Sequence, residues 1–171
     1  MTAVPEPTAA RPWMPGYGVQ GPDEGGGLLT WGWATRRLTT SRHYWLATVW
    51  PDGRPHVMPV WGLWDGEHLW CSSSGRSRKA RNLRADPRCT VTTEDPLEPV
   101  VLEGVAEVVT DHEALTRFLA GINAKYATTY GPELSDPAVN ATFRIRPRRV
   151  IGLTEDDFTG SATRWTFAEQ P

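Results

Sequence analysis

The run Tyr44-Trp45-Leu46-Ala47-Thr48-Val49-Trp50, the turn Pro51-Asp52-Gly53 and the run Pro55-His56-Val57-Met58-Pro59-Val60-Trp61-Gly62-Leu63-Trp64 decide the fold. The first run is aromatic and β-branched, which suits a pleated strand, and Pro-Asp-Gly is a strong turn signal. The second is broken at Pro59 and Gly62. Pro59 cannot donate to a central ladder, so it marks an edge or a bulge, where a ligand often meets the backbone. Asp65-Gly66 is the next hairpin turn, and residues 67–73 are the returning strand.

Outward from this core the pattern continues. Residues 1–27 are rich in Pro and Gly with few apolar anchors and read as a flexible N-terminal arm, on which Trp13 and Tyr17 could dock on a partner. Thr30 is an N-cap for a helix to about Thr40, with Trp31, Ala34 and Leu38 on one face. Beyond Pro87, residues 89–94 and 100–109 alternate as strands. Thr110 and Glu113 form a capping box for a helix to about Tyr126. Residues 130–141 read as a loop, residues 143–153 as a last long strand, and 163–167 as a short one. Arg144, Arg146 and Arg148 alternate on one face of that long strand and are expected to pair with Glu103 and Glu107. The order predicts a mainly β protein, an antiparallel barrel or sandwich with helices filling its gaps, in a single domain over residues 28–171.

The returning strand runs into Ser72-Ser73-Ser74-Gly75-Arg76-Ser77-Arg78-Lys79-Ala80-Arg81-Asn82-Leu83-Arg84. This is a strand, a Ser/Gly turn and a short helix that must stop before Pro87. Arg78 and Lys79 fall in its first turn, where they oppose the helix dipole by roughly a few tenths of a kcal/mol. A bound anion would relieve that repulsion. Free backbone N–H groups, hydroxyls and cations together describe a phosphate cradle, against the alternative of a solvated basic face.

Composition excludes several classes. The formal net charge of −2 over 171 residues gives no global basicity for nucleic acid. No apolar run spans a membrane, and the first residues carry no signal-peptide pattern. Cys71 and Cys89 read as buried reduced thiols of a cytoplasmic protein. His43, His56, His68 and His112 show no metal-ligand spacing. Nine tryptophans provide much flat, stackable surface. No nucleophile elbow, Walker-type loop or Rossmann glycine fingerprint occurs, so no catalytic residue is assigned, and any redox reaction would need a bound cofactor.

Three stretches, Tyr44 to Val49, Pro51 to Trp61 and Ser77 to Leu83, resemble the flavin/deazaflavin oxidoreductases, the pyridoxamine 5′-phosphate oxidase-like split-β-barrel proteins. The ending Ala162-Thr163-Arg164-Trp165-Thr166-Phe167 is similar to that of the actinobacterial branch using coenzyme F420. The resemblance implies a six-stranded Greek-key barrel and a homodimer with two cofactor sites at the subunit interface. It implies that Ser77, Arg78, Lys79 and Asn82 hold the cofactor phosphate and that Ser72, Ser73 and Ser74 line the path to it. His56, Met58, Pro59, Val60 and Trp61 would run along the ring, and Trp165 would reach the other subunit's site. Arg76 and Arg81 would favour the carboxylate tail of F420. True pyridoxamine phosphate oxidases carry Arg-x-His near the C-terminus, whereas Arg164-Trp165-Thr166 has no histidine. The resemblance therefore implies an F420-dependent reductase of enones, quinones or similar small molecules. The alternatives are an FMN-dependent oxidoreductase and a non-catalytic cofactor or haem carrier.

Overall fold

A sheet assembled from short hairpins must either close its hydrogen bonding on itself or leave edges, and this one leaves edges. The computed structural model describes residues 6–168. In chain order these form β1 (Thr8–Ala10), α1 (Trp31–Thr40), β2 (Tyr44–Val49), β3 (Pro55–Val60), β4 (Leu63–Trp64), β5 (Leu69–Ser74) and α2 (Arg78–Ala85). There follow β6 (Arg88–Thr93), β7 (Val100–Val109), α3 (His112–Tyr126), a 3₁₀ turn at Pro132–Ser135, β8 (Asn140–Gly152), α4 (Phe158–Ser161) and β9 (Thr163–Thr166). No helix among the described residues is long and apolar enough to cross a membrane.

The strands run antiparallel in the order β1-β9-β8-β7-β6-β2-β3, with β5 also on β8 and β4 on β5. β8 is the hinge of this arrangement. One of its sides runs against β7, while residues 140–145 pair with β5 and residues 149–152 with β9. β3 and the β4–β5 hairpin are the two ends that would complete the ring. No ladder joins them among the described residues, and the open seam between them is where α2 leaves β5. Pro59 accordingly lies on an edge strand, opposite Trp45.

The interior is filled by Leu46, Val91, Leu102, Phe143, Ile145 and Val150, all essentially without exposure. Each such burial contributes roughly 1.5–3 kcal/mol. Trp165 belongs to this core at 0% exposure, 5.6 Å from Trp31 and 6.4 Å from Trp33 by ring centroids. It therefore does not reach toward a second subunit, contrary to the sequence expectation, because its side of β9 faces inward. A second apolar cluster sets Leu115, Phe118, Ile122 and Tyr126 of α3 against Trp70 and Val109.

Three local expectations are also revised. The cap of α3 is Asp111, whose carboxylate accepts from Ala114 N at 2.8 Å, rather than Thr110. Glu107 pairs with Arg144, as expected, but the partner of Glu103 is Arg149. A register shift between Glu103 and Gly104 sets Glu103 opposite Arg149 and Gly104 opposite Pro147, so simple alternation fails there. A side chain at Gly104 would put Cβ 2.5 Å from Arg146 O. Finally, the arm contributes β1, paired with β9, and Arg11 donates to Gly21 O, Glu24 O and Ala162 O.

Candidate cofactor site

β5 delivers the chain into the turn before α2. Ser77 N donates to Ser74 O at 2.9 Å, and Ser77 Oγ caps the helix by accepting from Ala80 N at 3.2 Å. Ser73 Oγ and Ser77 Oγ lie 2.6 Å apart, and Ser74 Oγ accepts from Arg76 N. The N–H groups of Arg78 and Lys79 open the helix, so neither has an intrahelical acceptor. Helix start, hydroxyls and cations thus coincide within one turn.

The five cations divide into two kinds. Arg81 Nε donates to Arg76 O and Arg84 Nη1 to Gly75 O, so both fold back and brace the turn. Arg78 lays its guanidinium 3.6 Å over the Trp50 ring, which holds the cation in place without neutralising it. The Lys79 ammonium makes no hydrogen bond with any described residue. Its charge opposes the effect of burial on Cys71, a thiol pushed up to about 12. None of Arg76, Arg78, Lys79, Arg81 and Arg84 has a carboxylate within 4.0 Å among the described residues. Elsewhere Arg37, Arg54, Arg88, Arg117, Arg144 and Arg149 each have one. This concentration of uncompensated charge at a helix start is what an anion would complete.

Across the seam stands β3. Its Met58 is 45% exposed, although it lies opposite buried Leu46, because no strand covers that edge. His56 Nδ1 lies 3.4 Å from Thr48 Oγ1, which accepts from Asn82 Nδ2 at 3.1 Å. This chain ties α2 through β2 to β3. Trp61 stacks flat on Tyr126 at 4.2 Å and keeps 39% of its surface open.

The structure thus brings together Ser73, Ser77, Arg78 and Lys79, with Ser74 and Arg76 exposed on the same turn, and ties His56 to α2 through Thr48 and Asn82, while Met58 stands exposed on β3. Asn82 does not touch this surface. It is wholly buried, and its amide braces Thr48 rather than meeting a phosphate. Val60 points into the core and its backbone pairs with Tyr44 of β2, so it offers little to the seam. Ser72 Oγ donates to Ala141 O and accepts from Thr142, so it is committed to β8. Sequence reasoning missed Thr48 and Trp50. Thr48 was detectable as a polar residue on the inward parity set by Tyr44 and Leu46.

The donor set suits a flavin-type phosphate: unfilled N–H groups at a helix start, a serine cap, and two cations without acidic partners. The pyridoxamine 5′-phosphate oxidase family model matches residues 34–154. A conserved hypothetical protein from Mycobacterium tuberculosis is 31% identical, over 75% of this chain and 87% of that one, with a TM-score of 0.65. A structure described as an F420 reductase is 27% identical, over 71% of this chain and 98% of that one, with a TM-score of 0.58. A heme-binding protein from Mycobacterium smegmatis shares the fold at 23% identity and a TM-score of 0.58, over 78% of this chain and 62% of that one. A comparison with curated proteins gives no match. With the family model covering most of the barrel and the seam built as described, the chain belongs to the pyridoxamine 5′-phosphate oxidase family.

Proposed function

We propose that the protein is a coenzyme F420-dependent reductase that passes a hydride to an electron-poor conjugated small molecule such as an enone or quinone. The observation carrying this reading is the turn before α2, where five cations without a carboxylate partner surround unfilled helix N–H groups. The F420 reductase among its structural neighbours supports it. When bound, the reduced deazaflavin supplies the hydride. The protein's part is placement: Ser77, the Arg78 and Lys79 N–H groups and the Lys79 ammonium hold the phosphate. Backbone from Met58 to Trp61 lines the ring, and Arg76 and Arg81 attract the carboxylate tail. The site works as a homodimer, with a second copy covering the half-exposed Trp45, Val49 and Val57, and in the cytoplasm, where Cys71 and Cys89 stay reduced.

Titrating the cofactor-free protein with F420 and FMN side by side, followed by fluorescence, tests this. F420 binds at micromolar concentration, and Lys79→Ala weakens binding about tenfold or more, as loss of a charge-assisted contact of roughly 1.5–3 kcal/mol requires. Tighter FMN binding would transfer the reading to an FMN oxidoreductase. Tight binding with no turnover on a panel of quinones and enones would make the protein a carrier.

A further inference from the structure

Of the 18 Lys and Arg residues only Lys79 and Lys125 are lysines. A guanidinium stays charged throughout the physiological range, whereas an ammonium can give up its proton. Lys79 belongs to the cradle. Lys125 lies in the last turn of α3, and its surroundings are built for an amine that titrates.

Lys125 Nζ donates to Tyr44 Oη at 2.7 Å and to Gly62 O at 2.9 Å. Those two bonds fix the amine and leave its third N–H without an acceptor among the described residues. No carboxylate stands within 4.0 Å of it among the described residues. Glu94, an acid whose charge acts on Lys125, is taken by Arg42 N and His43, each at 2.8 Å. The groups facing Lys125 are Tyr44 from β2, Tyr126 from α3, Arg42 from the turn before β2, and Glu94 after β6. Tyr44 and Tyr126 are both held neutral by burial, which pushes their hydroxyls up. Burial and the Arg42 charge lower the Lys125 ammonium to about 8, with Glu94 opposing. Such an amine is close to ideal for proton transfer at neutral pH.

Lys125 also stands at the end of the ring-lining segment, bonded to the carbonyl of Gly62. Gly62 follows Trp61, the residue that ends the ring-lining segment. Trp61 and Tyr130 stay 39% and 44% exposed beside it, with centroids 6.4 Å apart, and offer flat apolar surface to a planar molecule.

We propose that Lys125 is the proton donor of this site, its free N–H meeting the oxygen of a planar conjugated carbonyl compound laid against Trp61. The assignment rests on the reductase reading above. Reduction of such a compound puts a hydride, with its electron pair, on the carbon β to the carbonyl, and the displaced π pair moves to oxygen. The Lys125 N–H bond breaks as the O–H bond forms. An enol and a neutral amine result, and water returns the proton to the amine.

Incorporating [6-¹³C]lysine gives only two side-chain resonances, and Lys79→Arg assigns them. In cofactor-free protein the Lys125 signal titrates near 8, and menadione, added as a carbonyl probe, perturbs Lys125 and not Lys79. A Lys125 signal that titrates with Lys79, or that ignores menadione, overturns the assignment. This arm needs no F420, so its failure is distinct from failure of the reductase reading. In the loaded enzyme, Lys125→Arg, which keeps the charge but not the transferable proton, lowers kcat on the order of 10²-fold and removes the alkaline limb of the pH profile. An unchanged kcat in that variant also overturns it.

Discussion

At the scale of single residues, Asp65 shows how one carboxylate shapes a turn that the site depends on. It accepts from the N–H groups of Glu67 and His68 and from the Trp70 indole at 2.6 Å. Partial burial would raise its titration, but these donors and the neighbouring His68 ring outweigh that and hold the carboxyl well below the usual range. A depressed carboxylate stabilises the fold above its unfolded value near roughly 4, and the contribution is lost as pH falls below that. Asp65→Asn should therefore lower the Tm at pH 6 to 7 and flatten its acid dependence below about pH 4, as followed by thermal melts across pH. A parallel acid slope in both proteins would show that the turn is held by packing alone. Trp50 matters in another way. By stacking on Arg78 it holds a cation without cancelling it, which an aspartate at the same place would do.

At the scale of elements, much of the architecture was written locally. Pro51-Asp52-Gly53 and Asp65-Gly66 fix two hairpins, Gly53 and Gly66 supplying the positive φ (+88° and +103°) that the turns require. Thr30 caps α1 as its sequence position suggests. What was not legible depends on distant partners. β1 is three residues among prolines and becomes a strand only because β9 offers it an edge. The bulge at Glu103 is invisible to alternation because it comes from the length match of β7 to β8. The resemblance implies that Asn82 holds the phosphate, yet its face of α2 packs on β2, so its amide is enclosed. Trp165 carries the same lesson: the resemblance implies that it reaches the other subunit's site, but β9 is stitched into the sheet on both sides and the indole is buried.

At the scale of the whole molecule, the outer face of β2 and β3 stands out. Trp45 is 49% exposed and Val57 50%, side by side with Val49. An apolar band of this kind costs solubility unless something covers it. The homodimer reading makes this face the buried one, so Val57→Arg should shift the sedimenting species from twice 19.0 kDa to one and weaken cofactor binding along with it. A wild-type monomer at tens of micromolar would remove the dimer from the proposal.

The free edge of β3 has a consequence for misassembly. An uncovered strand with a full row of donors is a template on which a foreign strand can anneal. Pro55 and Pro59 share one parity with Val57, and a strand keeps its prolines on the side away from its partner. The outward row therefore retains a single amide, that of Val57, while His56, Met58 and Val60 spend theirs on β2. The seam can stay open to a small molecule and still be closed to another chain. Amide exchange should be fast at Val57 and slow at Met58, and Pro59→Val should shorten the lag before thioflavin-positive aggregates form. An unchanged lag would mean that the edge is guarded by something other than its prolines.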